Sequence, residues 1–231
     1  MRILSEIKGW LVPDGKKIRK VLSGPCCGIA MQMNLRHQMQ MWLGLYEREL
    51  HPWLKRFSKG IRTGIDIGTA EGYYSLFMLE KTPARKVYSF EPFDSAREEF
   101  QANLESNAFI SKEKLILSRK MVSESESEET TSLNLAIPLV EEPCLVKMDV
   151  EGAEAAVLKG ASRLLSLPDV RWIVEVHSAA LEEECIKILK NAGYQVQVIP
   201  NAWWRLLVPE KRFGHNRWLA AIKLPQNRNN P

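Results

Sequence analysis

The 231-residue chain is poor in the features that mark several protein classes. It has four cysteines, Cys26, Cys27, Cys144 and Cys185, with no C-x-x-C spacing. Cys26 and Cys27 are adjacent and badly placed to bridge one another. Structural zinc and a disulfide framework are therefore not expected, and reduced thiols in a cytoplasmic protein are. No window approaches the roughly 20 apolar residues of a membrane span, and Met1–Lys8 lacks the sustained apolar run of a secretion signal. Excess charge of one sign is small: 32 Lys and Arg against 28 Asp and Glu leave +4. That gives no strong signal for nucleic acid or an anionic membrane. Also missing is the G-x-G-x-x-G triplet that cradles a pyrophosphate.

What is present belongs to a globular chain, 45% hydrophobic and 26% charged, long enough to bury a sizeable core. Ile18–Leu22 and Ile29–Met33 read as short strands around the turn-forming Gly24-Pro25-Cys26-Cys27-Gly28. Met39–Leu50 reads as a helix with Leu43, Tyr46 and Leu50 on one face, and Pro52 kinks it or opens a new turn. Residues 1–60 are thus expected to form a cap, 61–225 the main domain, and 226–231 a disordered tail.

From Ile65 onward strands alternate with helices. Ile65 and Ile67 lie in a β-prone run that stops at Gly68, and Tyr73–Glu80 reads as a helix. Lys86–Phe90 is a strand, Ser95–Asn107 a helix with Ser95 as N-cap, and Leu115–Leu117 a strand. Ser123–Glu129 is acidic and reads as a solvated loop. Cys144–Met148 and Trp172–Val176 are strands, separated by a helix carrying Val157, Leu158, Ala161, Leu164 and Leu165. Leu181–Ala192 is a helix stopped by Gly193. Gln195–Ile199 and Trp218–Ile222 then enclose a Trp203-Trp204 loop without an intervening helix. The pattern predicts a doubly wound α/β fold. Its seven-stranded sheet is mostly parallel, with an antiparallel C-terminal hairpin at one edge.

In such a sheet ligands bind beyond the carboxyl ends of the strands. Those ends carry Asp66-x-Gly68, Glu91, Asp149-x-Glu151 and His177. Gly68-x-Ala70-x-Gly72 suits a close backbone approach to a ligand that has no diphosphate. Glu91, ending the next strand, can accept hydrogen bonds from two ribose hydroxyls. A phosphate-free nucleoside with positive charges nearby is what S-adenosylmethionine presents, and the acidic surroundings favour those charges.

Asp66-x-Gly68-x-Ala70-x-Gly72-Tyr73-Tyr74, Phe90-Glu91-Pro92 and Lys147-Met148-Asp149-Val150-Glu151-Gly152-Ala153-Glu154 together resemble the FkbM family of S-adenosylmethionine-dependent methyltransferases. Gly44–Glu49, Val157–Ala161 and Glu175-Val176-His177 continue the likeness, which runs from about Gly44 to Ala221. One departure is Thr69-Ala70-Glu71, where the family more often has Ala-Asn before the second glycine. The resemblance implies a class I, Rossmann-like methyltransferase acting on a hydroxyl of a sugar, glycan or secondary metabolite.

It also implies cofactor contacts from Asp66, Gly68, Ala70, Gly72, Tyr73, Glu91, Pro92 and Asp149. Glu151, His177 and Trp203 fall on the acceptor side. The base is His177, whose ordinary pKa of about 6.5 suits neutral pH, or Asp149 at the end of the central strand. Glu151 and Glu154 are alternatively helix-capping groups.

Asp149, Glu175 and His177 can be drawn as a metal site. Strand alternation is expected to turn Glu175 to the opposite face from its neighbours, so no metal is expected. Trp218 reads as buried packing, whereas Trp203, Trp204 and His215 lie beside cations. Two rival readings remain. One is an RNA methyltransferase, suggested by those Trp–cation neighbours. The other is an inactive S-adenosylmethionine-binding scaffold.

Overall fold

A computed structural model describes residues 14–200 and 215–224. The Trp203-Trp204 loop, the Trp203 site and the tail at 226–231 lie outside the described residues. The first elements are the strands β1 (Lys17–Lys20) and β2 (Ala30–Met33), paired antiparallel with Lys17 opposite Met33. Helix α1 follows at Leu35–Leu43, with the Asn34 side chain accepting from the Arg36 amide as N-cap.

The helix expected over Met39–Leu50 therefore starts earlier and stops at Gly44, which is left-handed at φ 72°. A Cβ on Gly44 would lie 1.9 Å from the Ser23 carbonyl, so the break is enforced by a segment some twenty residues away. A 3₁₀ turn at Arg48–Leu50 leads into α2 (His51–Phe57), where Pro52 sits in the first turn.

The main sheet comprises β3 (Thr63–Ile67), β4 (Lys86–Phe90), β5 (Leu115–Ser118), β8 (Cys144–Met148), β9 (Val170–Val176), β10 (Gln195–Ile199) and β11 (Arg217–Ile222). The short strands β6 (Met121–Val122) and β7 (Thr130–Thr131) pair beside it, flanking the acidic loop. Across the sheet the order is β10-β11-β9-β8-β3-β4-β5. The pairs β3–β4, β3–β8, β4–β5 and β8–β9 are parallel.

β11 runs antiparallel to both β9 and β10. The expected hairpin pairing is present, with one difference. β11 enters between β9 and β10, so β10 runs with the parallel strands and alone forms that edge.

The helices are α3 (Tyr73–Lys81), α4 (Asp94–Glu105), α5 (Leu133–Ala136), α6 (Glu154–Lys159), α7 (Ser162–Ser166) and α8 (Ala179–Asn191). α4 begins one residue before the expected Ser95 cap, with Phe93 in the cap position and Asp94 in its first turn. Alternation along the strands splits the core into two layers. Leu145, Ile173 and Trp218 pack with Leu54, Leu76 and Phe100 on one face. Val146, Trp172 and Val174 pack with Val157, Leu164 and Leu189 on the other. Trp172 and Trp218 are fully buried.

Candidate active site

In β3 and β8 the odd and even positions face opposite layers, and register places Asp66 opposite both Lys147 and Ser89. Asp66 is completely buried. Its Oδ2 accepts from the hydroxyls of Thr69 and Ser75, and the Ser75 hydroxyl also meets that of Ser89 at 2.7 Å. Burial raises the Asp66 carboxyl above its ordinary value, against the opposing pull of Lys147, Ser75 and Thr69. Its Oδ1 is buried with no partner.

The turn between β3 and α3 is fastened by the chain itself. The amides of Gly68 and Thr69 donate to the Phe90 carbonyl at 3.0 and 3.1 Å, and the Ala70 amide donates to Glu91 Oε2 at 2.9 Å. A Cβ at Gly68 would lie 1.8 Å from the Asp149 carbonyl, and one at Gly72 would lie 2.1 Å from the Phe100 ring. Close packing within the protein thus requires both glycines, independently of any ligand.

Ala70 is left-handed without being glycine, at φ 46°, as are Glu47 at 45° and Glu151 at 37°. All three flank the same region, where such strain concentrates in functional sites. The Tyr73 ring turns into the core against Tyr46 and Tyr74, so only its backbone belongs to the turn.

Glu91 is almost fully buried. Besides the Ala70 amide it accepts the Phe93 amide on Oε1 at 3.0 Å. Each oxygen keeps a lone pair, so two further hydroxyl donors fit the fixed carboxylate. Pro92 follows, its carbonyl taking a hydrogen bond from Arg97. Phe93, absent from the residues expected at the site, projects from this corner 68% exposed.

The second half of the site lies at the ends of β8 and β9. Lys147 is buried, with Nζ 3.5 Å from Asp149 Oδ2 and over the rings of Tyr74 and Trp218 at 4.9 and 5.7 Å. Burial opposes its charge, but Asp149, Asp66, Glu47 and Glu175 outweigh it and hold the ammonium protonated. Glu47 is delivered by the N-terminal segment and accepts from the Tyr74 hydroxyl.

His177 stands just beyond β9. Its Nδ1 bonds Glu154 Oε1, and its Nε2 is 3.6 Å from Asp149 Oδ1, too far for a hydrogen bond. Glu154 Oε1 also accepts the Gly152 amide at 3.0 Å. It therefore acts as an acceptor, and the His177 proton sits on Nδ1. Burial works against a charged ring. The hydrogen bond and charge of Glu154, with Asp149 and Glu151, prevail and raise the His177 pKa above its usual value.

Glu154 was expected to bind helix amides. It takes the Gly152 amide and orients the histidine as well. The K-x-D-x-E-G-x-E block contained it, but its partner lies 23 positions away. Glu151, on the exposed loop after β8, acts on His177 by charge. His215 is tied to Glu182 at 3.1 Å beside a bidentate Arg217–Glu182 pair; it joins β11 to α8 and stands apart from this cluster.

The expectation that alternation separates Glu175 from the metal-like set is corrected. Glu175 and His177 are two residues apart and share a face, and donor atoms of Asp149, Glu175 and His177 lie within 4.8 Å of one another. The Lys147 ammonium already supplies a cation to Asp149 and Glu175.

Residues 102–196 match the model of the methyltransferase FkbM domain. Over that segment the chain is similar to the methyltransferase FkbM domain. The matched segment runs from α4 into β10 and includes Lys147, Asp149, Glu154 and His177, while the glycine turn precedes it.

Among solved structures the chain is similar to a methyltransferase FkbM from Methylobacillus flagellatus KT, with TM-score 0.57 and 16% identity over 70% of this chain. This chain spans 43% of that protein. It is also similar to an rRNA methylase from Streptococcus thermophilus, with TM-score 0.52 and 13% identity over 78% of this chain and 98% of the other. A third is a candidate tRNA methyltransferase from Streptococcus pneumoniae solved with S-adenosyl-L-methionine, with TM-score 0.50 and 14% identity over 79% and 76%. These likenesses show a class I methyltransferase-like α/β fold. A comparison with curated protein sequences returned no match. No helix among the described residues is long and apolar enough to cross a membrane.

The family implies S-adenosyl-L-methionine, and the residues present fit it. Glu91 has spare acceptor capacity for two ribose hydroxyls, and the partnerless buried Asp66 Oδ1 suits a cationic group.

Proposed function

We propose that the chain is an S-adenosylmethionine-dependent methyltransferase that methylates a hydroxyl of a sugar, glycan or secondary metabolite. The observation that carries this reading is the Glu154–His177 pair. A buried carboxylate fixes the imidazole through Nδ1 and leaves Nε2 directed to the Asp149 side, ready to take a proton. Asp66, the turn at Gly68, Ala70 and Gly72, and Glu91 with Pro92 hold the nucleoside and the methionine end.

S-adenosylmethionine supplies a methyl group already activated on a sulfonium. The chain must therefore align the acceptor oxygen and remove its proton. His177 takes that proton at Nε2, and Glu154 stabilises the imidazolium that results. Asp149, held by Lys147, lies 3.6 Å from the same nitrogen and orients the acceptor hydroxyl toward it. Glu151 and Trp203 are assigned to acceptor binding. No metal is assigned, because Lys147 serves as the built-in cation. Four free cysteines, three of them buried, support a cytoplasmic setting.

Calorimetric titration of wild type and Glu91→Ala with S-adenosylmethionine tests the cofactor, and a panel of hydroxylated acceptors then tests the reaction. Micromolar binding weakened by the substitution supports the reading. Tight binding with no turnover on any hydroxyl would favour a scaffold without activity.

A further inference from the structure

The turn after β3 is also held by the residues that precede the sheet. Asn103 in the last turn of α4 and Asn107 just beyond its end, both fully buried, stand in for a strand along β2. Gln32 N–H donates to Asn103 Oδ1 at 2.6 Å and Ala30 N–H to Asn107 Oδ1 at 2.8 Å. Asn107 Nδ2 donates back to the Ala30 carbonyl at 2.7 Å. Asn103 directs its own amide group elsewhere, from Nδ2 to the Glu71 carbonyl at 2.9 Å.

Glu71 is held a second time through its side chain, where Oε1 accepts from Gln38 Nε2 at 3.0 Å. Two residues on, the Tyr73 carbonyl accepts from Cys26 Sγ at 3.4 Å. Asn103 is therefore a joint between three pieces, β2, α4 and the turn. The turn it holds contains the left-handed Ala70 and Gly72, conformations that persist only where their surroundings enforce them.

We infer that Asn103 is a positioning residue for the cofactor turn. It fixes the Glu71 carbonyl while the β1–β2 hairpin is docked, so hairpin docking and cofactor binding stabilise each other. The inference rests on the cofactor reading above. By linkage, whatever factor the docked hairpin adds to cofactor affinity, bound cofactor adds to hairpin docking.

Asn103→Asp keeps the acceptor for the Gln32 amide and replaces the donor to Glu71 with an oxygen. Asn107→Ala removes bonds between the same two elements without touching the turn and controls for general loss of stability. Calorimetry with S-adenosylmethionine on the full chain is expected to show Asn103→Asp raising Kd about tenfold, inside the usual range of coupling between sites. Asn107→Ala, melting at least as early, should change Kd less. Half-buried Gln38→Ala tests the same turn from the Glu71 side should Asn103→Asp not fold.

Hydrogen exchange supplies the reciprocal reading, since saturating cofactor should slow exchange of the Ala30 and Gln32 amides. An unchanged Kd in Asn103→Asp, an equal shift in both asparagine variants, or unaltered exchange at those amides would overturn the inference and leave the cofactor reading intact. Absence of binding to the wild type would remove both.

Discussion

Glu154 holds His177 by Nδ1 from a fully buried position on α6, while the opposite ring nitrogen stops 3.6 Å short of Asp149. One side of the imidazole is committed and the other is open. A neutral His177 has its lone pair on Nε2, and the raised pKa means that this form becomes dominant only above the ordinary value near 6.5.

The ascending limb of kcat against pH should therefore lie above about pH 6.5. Glu154→Gln keeps an acceptor for Nδ1–H but deletes the charge, so the limb should move to lower pH. His177→Gln should lower kcat about 10²-fold or more and abolish the limb. An intact wild-type limb in His177→Gln removes the histidine as base.

The same pair links stability to pH. Since folding raises the His177 pKa, its contribution is complete below the unfolded value and fades as pH rises through the folded one. Urea melts of wild type and Glu154→Gln should differ more at pH 5.5 than at pH 9. A gap that widens with pH would reverse the sign and refute the assignment.

Asp149→Ala should lose turnover while retaining cofactor binding. Turnover and calorimetric Kd measured on the same preparation separate the two, and undiminished turnover would take Asp149 out of the mechanism.

Lys147 is the buried cation for Asp149 and Asp66. Lys147→Met leaves those carboxylates without it and should cost about 3–5 kcal/mol of stability, the usual consequence of breaking a buried pair. Chemical denaturation reads this directly. A loss below about 1 kcal/mol would mean that the pair acts as an exposed one.

Ala70 carries a left-handed backbone that glycine adopts freely. Ala70→Gly should stabilise the chain by about 0.5–1 kcal/mol, the relief of strain less the added freedom of the unfolded chain. Thermal and urea unfolding check it, and a destabilised variant would show that the methyl group packs usefully.

The alternation of strand and helix was legible because it depends on local period: Lys86–Phe90 and Cys144–Met148 were read to the residue. The differences arise from distant contacts. The α1 boundary depends on Ser23 pressing on Gly44, and the place of β11 depends on pairing with β9 across forty positions.

At the site, Asp66, Glu91, Asp149 and His177 were visible as ionisable groups ending strands. Glu154 and Lys147 acquire their roles only from folded partners. Asn103 and Asn107 carry a local signal, two amides four apart at the end of a helix whose buried residues include Phe100 and Leu104.

The insertion of β11 has a bearing on how the protein is made. A growing polypeptide that has emerged as far as Ile199 holds every parallel strand, yet β9 and β10 each present an unfilled edge toward a missing neighbour. Such edges are sticky templates for other chains. Glu175 meanwhile waits for Trp218, which pairs opposite it. Translation must therefore pass residue 222 before the sheet closes, and a ribosome stalled earlier would carry an open sheet that is a natural client for chaperones.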